Sequence, residues 1–254
     1  MHIVRYLWQE YEGYGIVDGH DILAVEGDVF GQFSRGGQVA SLDEVKILPP
    51  CRPSKIVAVG LNYRAHAAEA GATVPDEPLL FFKPPSAVIG HRDEIVYPSI
   101  SERVDHEAEL AVVIGQPAHF VTEADAPDYV LGYTCANDVT ARDLQHRDNQ
   151  WARAKGCDTF CPLGPFIATE LDPGNVRIQS RVNGETRQDS NTADMVFSIP
   201  ELISFITQAF TLEPGDVILT GTPSGIGPLQ PGDVVEVEIE GIGVLRNSVI
   251  AEVR

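Results

Sequence analysis

The sequence predicts an α+β fold dominated by β-structure, in the form of a rolled mixed sheet or an open barrel. Short apolar runs bounded by Gly, Pro, Asn and Asp recur along the 254 residues, and they clearly outnumber the segments with helical periodicity. Hydrophobic residues make up 43% of the chain and charged residues 22%, so disordered and fibrous classes are excluded. A chain of this length can bury a sizeable core without disulfide or zinc crosslinks.

The first 52 residues are predicted to form a small β-rich N-terminal module. Its apolar runs lie at residues 3–8, 15–18 and 21–25, and Gly and Asp residues separate them. The segment Pro49-Pro50-Cys51-Arg52-Pro53 interrupts both helix and strand. We therefore expect a boundary there, with a larger domain over residues 53–254.

The larger domain is predicted to alternate between several strands and a few short helices. Asn183-Gly184 fits a two-residue hairpin turn, and Ser198-Ile199-Pro200-Glu201 has the spacing of a capping box at a helix start. An Ala-rich segment at 63–70 predicts a short helix, and 140–146 predicts one or two helical turns. The predicted strands are residues 55–59, 107–114, 129–135, 177–182, 185–188, 216–220 and 234–240.

The net charge and the cysteine spacing indicate which partners the protein can bind and in which compartment it is found. The formal net charge is −19, which disfavours binding to nucleic acid or to an anionic membrane surface but does not repel divalent cations. The four cysteines form no C-x-x-C pair, and we interpret them as reduced thiols of a cytoplasmic protein. The N-terminus reaches a charged residue too early for a signal peptide.

Three carboxylates form the strongest candidate site. On a strand, Glu107 and Glu109 project to the same side about 6–7 Å apart. A solvated strand face would explain them, but the Ala-Val-Val-Ile run that follows indicates burial on both faces, where an unpaired carboxylate is costly. Asp138 follows another predicted strand and is either a third carboxylate of the site or a helix N-cap. Oxygen ligands without His or Cys spacing favour Mg²⁺ or Mn²⁺.

Two further segments carry candidate catalytic groups. His66 and Glu69 lie three residues apart on one face of the predicted helix, where the carboxylate could orient the imidazole as a general base or form a simple surface pair. Lys155, one of only four lysines, lies in a Gly- and Pro-rich loop, where it is either an oxyanion stabiliser or an exposed side chain. The segment at 220–227 lacks a P-loop lysine, but its hydroxyls and amides could hold a carboxylate.

Taken in order, these segments resemble the fumarylacetoacetate hydrolase superfamily over roughly residues 55–250. The resemblance rests on six motifs: Gly60-Leu61-Asn62-Tyr63 with His66 and Glu69, Phe82-Lys83-Pro84, His106-Glu107-Ala108-Glu109, Asn137-Asp138 with Thr140-Ala141-Arg142-Asp143, Lys155-Gly156 with Asp158-Thr159-Phe160, and Leu219-Thr220-Gly221-Thr222-Pro223.

The resemblance implies a rolled mixed β-fold, a homodimer and a set of functional residues. It implies that Glu107, Glu109 and Asp138 bind Mg²⁺. It also implies that His66 and Glu69 form a catalytic dyad on a lid-like helix. Four residues fall where family members contact a bound oxo-acid: Lys155, Arg142, Gln145 and Thr222. The namesake hydrolases supply a further carboxylate where this chain has Asn62, so we expect a metal shell richer in water or substrate oxygen.

The activity implied by the resemblance is chemistry on 2-oxo or 2-enol carboxylates through a metal-chelated enolate. The Arg153-Ala154-Lys155-Gly156 and Pro162-Leu163-Gly164-Pro165 segments look most like 2-hydroxyhepta-2,4-diene-1,7-dioate isomerases of aromatic-compound catabolism. Acylpyruvate C–C hydrolysis and oxaloacetate decarboxylation are the alternatives. A non-catalytic oxo-acid-binding protein is the remaining one, and the presence of a general-base pair disfavours it.

Overall fold

The computed structural model describes residues 1–253, and β-structure dominates it. The prediction of a β-dominated α+β fold is confirmed, in mixed sheets that do not close into a barrel within the described residues. The strands are β1 His2–Trp8, β2 Tyr11–Asp18, β3 Asp21–Gly27, β4 Phe33–Ser41, β5 Lys46–Ile47, β6 Ile56–Gly60, β7 Leu79–Lys83, β8 Val88–Ile89, β9 Glu94–Tyr97, β10 Val104–His106, β11 Ala108–Ile114, β12 Val130–Asn137, β13 Thr140–Ala141, β14 Cys161–Ala168, β15 Arg177–Val182, β16 Glu185–Asn191, β17 Val217–Leu219, β18 Gly227–Leu229, β19 Val234–Ile239 and β20 Gly243–Ala251.

The helices are short and few. The α-helices are α1 Arg64–Glu69, α2 Arg142–Arg147, α3 Ala152–Lys155 and α4 Ile199–Ala209, and single 3₁₀ turns occur at Leu42–Glu44, Pro85–Ala87, Ala126–Tyr129 and Thr192–Asp194. Helix α4 begins with the predicted capping box, in which Ser198 and Glu201 cap each other. No helix within residues 1–253 is long and apolar enough to cross a membrane.

Twelve strands form the largest sheet. Ten of them follow the order β4-β3-β2-β1-β14-β12-β11-β17-β6-β7, while β5 pairs with β1 and β8 pairs with β14. A second sheet has the order β16-β15-β19-β20-β9, and a small third sheet has the order β13-β10-β18. The β15–β16 hairpin turns at Asn183 and Gly184, both at positive φ, as the sequence predicted.

The N-terminal strands continue the large sheet rather than forming a sheet of their own. Strand β1 pairs antiparallel with β14, with His2 opposite Ala168 and Ile3 opposite Ile167. The division of the chain at residues 52 and 53 stays a prediction.

Two apolar clusters cover the two faces of the central strands. Along β11, Leu110 and Val112 pack on the cluster that includes α4, while Ala111 and Val113 pack on the opposite cluster. The Ala-Val-Val-Ile run is therefore buried on both faces, as the sequence indicated. A polar side chain at the end of this strand has little access to water.

The candidate site lies at the ends of interior strands of the large sheet. Strands β6 and β17 are parallel to each other, and β11 runs antiparallel to β17 and to β12. The start of β11 therefore lies beside the ends of β6, β12 and β17, and it brings together polar residues from four distant segments.

Asp216 anchors β17 to the segment that precedes β6. Its carboxylate is fully buried and accepts hydrogen bonds from the backbone amides of Ser54, Lys55 and Glu213. The Ser54 hydroxyl and the Lys55 ammonium also donate to it, at 2.8 and 2.5 Å. This contact fixes the two parallel strands at the end opposite to the site.

Two predicted element boundaries were wrong near the site. The strand predicted at 107–114 begins at Ala108, because the Glu107 amide donates to the Asn137 side chain and its carbonyl accepts the Asp138 amide. The predicted helical segment at 140–146 begins as strand β13, and the helix covers Arg142–Arg147.

Candidate active site

Glu107, Glu109 and Asp138 lie close together at the N-terminal end of β11. One oxygen from each carboxylate lies within 4.8 Å of the others. Glu109 belongs to β11, Asp138 follows β12, and Glu107 lies between β10 and β11. All three are at least 97% buried, so the solvated-strand alternative is wrong. The helix-cap alternative for Asp138 is also wrong, because Ala141 is the N-cap residue of α2.

Two buried lysines and an arginine partly compensate this negative charge. The Lys155 ammonium donates to Glu107 Oε2 at 2.8 Å and to Asp138 Oδ2 at 2.5 Å. Lys83, from β7, donates to Asp138 Oδ1 at 2.5 Å. Arg142, from α2, donates to Glu107 Oε1 at 2.5 Å. Lys155 is thus a buried member of the site, and the exposed-lysine alternative is wrong.

Glu109 is the carboxylate without a cationic partner. Its Oε2 accepts the Gly221 amide at 2.7 Å, and it forms no ion pair with any residue in 1–253. Burial, together with the neighbouring Asp138 and Glu107 carboxylates, raises the pKa of Glu109 well above its usual value. The Lys155 charge offsets this effect only in part. A buried carboxylate beside two others, with no ion pair of its own, is an arrangement that a divalent cation would stabilise.

Glu107 and Lys155 stabilise each other's charged forms. Burial would raise the pKa of Glu107, but Lys155 and Arg142 outweigh it and lower that pKa. Burial would lower the pKa of Lys155, but Asp138 and Glu107 outweigh it and raise that pKa. The site therefore contains ionised pairs next to one carboxylate that is poorly compensated.

Gly221 is required for the contact with Glu109. It has φ +99°, and a Cβ added there would lie 2.7 Å from the Asn62 Cβ. Asn62 is fully buried and bonds to backbone atoms of Phe197 and Thr220 rather than to the carboxylates. Asn62 thus holds the strand ends together.

The His66–Glu69 pair lies on α1 at the side of the same cavity. His66 Nδ1 lies 3.3 Å from Glu69 Oε2, and the His66 side chain is 8% exposed. The Gly225 amide donates to Glu69 at 3.0 and 3.2 Å. Glu69 is therefore fixed between the helix and the 220–227 loop, and it orients the imidazole.

A cavity of about 510 Å³ brings all of the predicted site residues together. The sequence predicted nine of its lining residues: His66, Glu69, Glu107, Glu109, Asp138, Arg142, Gln145, Lys155 and Thr222. Arg142 donates to Gln145 Oε1 at 2.6 Å, and Thr222 donates to the Ala108 carbonyl at 2.8 Å. Phe81 and Trp151 form an apolar wall, with the Lys155 ammonium 5.2 Å from the Phe81 ring centre.

Sequence reasoning assigned no role to several residues of the site. Lys83 belongs to the Phe82-Lys83-Pro84 motif, and its position as the single charge in an apolar strand next to Pro84 was the available signal. Asp105 and Arg103 extend the alternation of Glu107 and Glu109 toward the N-terminus, so the period of two could have identified them. Nothing in the sequence indicated Trp151.

Comparisons with known protein families cover most of the chain. The family profile described as fumarylacetoacetate (FAA) hydrolase C-terminal matches residues 55–250. A second profile, described as Rv2993c-like, N-terminal, matches residues 1–50.

Individual relatives are similar over nearly the same extent. An uncharacterized protein of Archaeoglobus fulgidus is 58% identical over 214 residues, which is 84% of this chain and 86% of that protein. The mitochondrial oxaloacetate tautomerase FAHD2A of Bos taurus is 48% identical over 220 residues, 82% of this chain and 70% of that protein. The crystal structure of 2-hydroxyhepta-2,4-diene-1,7-dioate isomerase from Mycobacterium marinum matches with a TM-score of 0.93 at 39% identity, over 100% of both chains.

Proposed function

The chain belongs to the fumarylacetoacetate hydrolase family, and on this premise we propose that it is a divalent-metal-dependent enzyme acting on 2-oxo or 2-enol carboxylates. The proposed reaction is proton transfer next to the oxo group, most like that of 2-hydroxyhepta-2,4-diene-1,7-dioate isomerase. Two similar proteins support this choice, because one is named an isomerase and the other a tautomerase. Both names describe movement of a proton without net bond cleavage.

The observation that carries the proposal is the unpaired, buried carboxylate of Glu109 beside Glu107 and Asp138. These three all-oxygen ligands fit Mg²⁺ or Mn²⁺ better than zinc. A bound ion would supply Lewis-acid stabilisation of the negative charge that develops on the oxo oxygen. The Lys155 ammonium, which bridges Glu107 and Asp138, provides a second positive group for the same oxygen.

His66 is the proposed proton carrier. Glu69 holds Nδ1, so Nε2 is the nitrogen that accepts a proton from one substrate carbon and returns it to another carbon of the same substrate. Arg142 and Gln145 line the cavity at α2, where their remaining N–H groups can orient a substrate carboxylate. Thr222 lines the same cavity from the 220–227 loop, and its hydroxyl donates to the Ala108 carbonyl. Phe81 and Trp151 can pack against an apolar or conjugated carbon chain.

Acylpyruvate C–C hydrolysis is the second candidate. The His66–Glu69 pair could equally activate a water molecule, and a 510 Å³ cavity has room for both water and substrate. Decarboxylation of oxaloacetate would use the same carboxylates and Lys155 but would depend less on His66.

The test is an assay of the purified protein with Mg²⁺, Mn²⁺ or EDTA. Enol and diene absorbance would follow 2-hydroxyhepta-2,4-diene-1,7-dioate, oxaloacetate and acetylpyruvate, and NMR would identify the products. We expect metal-dependent isomerisation or tautomerisation that Asp138→Asn abolishes and that the exposed control variant Glu123→Gln retains. Cleavage products as the main outcome would favour the second candidate. No metal-dependent change in any substrate would contradict the proposal.

We also propose a homodimer, as the family resemblance implies. Strand β7 is the last strand of the large sheet, and its Leu79 and Phe82 side chains are 40% and 44% exposed. Phe82 contacts Phe210 edge to face with ring centres 5.0 Å apart, which extends the apolar surface. Light scattering after size exclusion should give twice the chain mass, and a monomer at micromolar concentration would contradict this proposal.

A further inference from the structure

Arg103 is the first of four charged residues at every second position of the segment that leads to the carboxylate cluster. Arg103, Asp105, Glu107 and Glu109 occupy every second position of an extended segment and all line the cavity. The Arg103 carbonyl accepts the Arg142 amide at 2.7 Å, so Arg103 is fixed beside the start of α2. With a rise of about 3.3 Å per residue, its Cα lies up to about 13 Å from that of Glu107.

Two guanidinium groups share one carboxylate at this place. Arg103 Nε and Nη2 donate to Asp105 at 2.9 and 3.2 Å, and Arg142 Nε donates to the same carboxylate at 2.9 Å. Asp105 is fully buried, whereas the Arg103 side chain is 53% exposed. Arg142 also pairs with Glu107, whereas Arg103 pairs only with Asp105 within residues 1–253 and is the more exposed of the two cations that line the cavity.

Arg103 also has unused hydrogen-bonding capacity. Its second terminal nitrogen, Nη1, has no hydrogen-bond partner among residues 1–253, and Nε and Nη2 already fix the plane of the guanidinium. A guanidinium held in one orientation by a buried carboxylate is well suited to bind a second carboxylate. The side chain therefore needs no rearrangement to accept an anionic group from a ligand.

We propose that Arg103 is a specificity-determining residue that binds the second carboxylate of a dicarboxylic 2-oxo or 2-enol acid. This inference rests on the proposed function, because it takes the first carboxylate and the oxo group to lie at Glu107, Glu109 and Asp138. Phe81 and Trp151 line the same cavity and offer apolar surface to the carbon chain of such an acid. In this protein, whose formal net charge is −19, a cationic group in the cavity selects for an anionic substrate group.

The test compares two ligands that differ only in the second carboxylate. Calorimetry in the presence of Mg²⁺ would measure binding of 2-oxoadipate and of 2-oxohexanoate to the full chain. We expect the parent to prefer the diacid, and Arg103→Ala to lower the diacid affinity roughly 5- to 30-fold, as for a partly exposed charge-assisted contact. The monoacid affinity should change less than about twofold, and Arg103→Lys should recover part of the preference.

A matched control is available in the five-stranded sheet. Arg177 is 57% exposed and donates through Nε and Nη2 to Asp189, as Arg103 does to Asp105, but it lies outside the cavity. Arg177→Ala removes the same charge and should leave both affinities unchanged.

The outcomes separate this inference from the proposed function. If the parent binds both acids with Mg²⁺ but without preference, or if Arg103→Ala weakens both equally, the role of Arg103 is refuted and the proposed function stands. If the parent binds neither acid, the proposed function is refuted and the inference with it.

Discussion

Replacement of Glu109 by glutamine separates the charge of this residue from its structural role. The side-chain amide introduced by Glu109→Gln would keep an oxygen acceptor for the Gly221 amide, which is the only hydrogen bond that Glu109 makes within residues 1–253. The substitution removes the one carboxylate of the cluster that has no ion pair. The metal-free protein should therefore tolerate it, while metal binding should not.

The expected magnitudes follow from the geometry. Two carboxylates 4.8 Å apart repel by about 3.5 kcal/mol at an effective dielectric constant of ~20, and Glu109 has two such neighbours. Burial and those neighbours raise the pKa of Glu109, so ionisation of this carboxylate costs free energy in the folded metal-free protein. A folded-state pKa above the unfolded value reduces stability as the pH rises toward it. At pH 8, Glu109→Gln should thus raise the metal-free unfolding free energy by about 1–2 kcal/mol.

The effect of Mg²⁺ should change in the opposite direction. An ion at 100 times its dissociation constant stabilises the folded parent by about 2.7 kcal/mol. Loss of one carboxylate ligand should weaken binding at least ~100-fold, and at the same concentration this leaves about 0.4 kcal/mol.

Calorimetric unfolding with EDTA and with Mg²⁺ measures both quantities in the parent, in Glu109→Gln and in the exposed control Glu123→Gln. We expect the control to behave as the parent does. A metal-free Glu109→Gln protein that is less stable than the parent, or an undiminished Mg²⁺ effect in it, would refute the reasoning.

Three further changes test other parts of the structure. Asp216→Asn should lower the free energy of urea unfolding by about 2–4 kcal/mol, because five donors converge on that carboxylate. Burial raises the pKa of Asp216, but Lys55 and the other donors outweigh it and lower that pKa, so the stabilisation is present above about pH 4 and is lost as the pH falls further. A stability difference between parent and variant that persists unchanged at pH 2 would contradict this account. His66→Ala should retain Mg²⁺ and oxalate binding by calorimetry but slow proton transfer roughly 10²–10⁴-fold, and loss of oxalate binding would place His66 in the binding shell instead. Lys83→Met should weaken Mg²⁺ binding about 10- to 100-fold, because Lys83 orients Asp138 Oδ1, and unchanged binding would exclude that role.

Local patterns predicted the parts of the fold that depend on neighbouring residues. The Asn183-Gly184 hairpin and the Ser198 capping box formed as expected because each is determined by a few consecutive side chains. The start of β11 was misplaced by one residue because Glu107 bonds to the end of β12, thirty residues away. Such long-range hydrogen bonds leave no periodic signal in the sequence.

The same distinction applies to the candidate site. The spacing of Glu107 and Glu109 and the burial of the strand after them indicated a charged cluster. In the structure, Asp138 lies beside these two carboxylates. Lys83 was given no role because its partner, Asp138, is 55 residues away and lies just after another strand, β12. The resemblance to a family placed His66 and Lys155 near the carboxylates, but only the fold shows that Lys155 bridges two of them.

Anomalous diffraction from crystals soaked with Mn²⁺ and oxalate tests the central claim most directly. We expect one strong anomalous peak among the carboxylate oxygens of Glu107, Glu109 and Asp138, with oxalate beside it in the cavity lined by Lys155 and Arg142. The peak should be absent from Asp138→Asn crystals treated in the same way. A peak elsewhere on the protein, or none at these carboxylates in the parent, would contradict the proposed metal site and the chemistry derived from it.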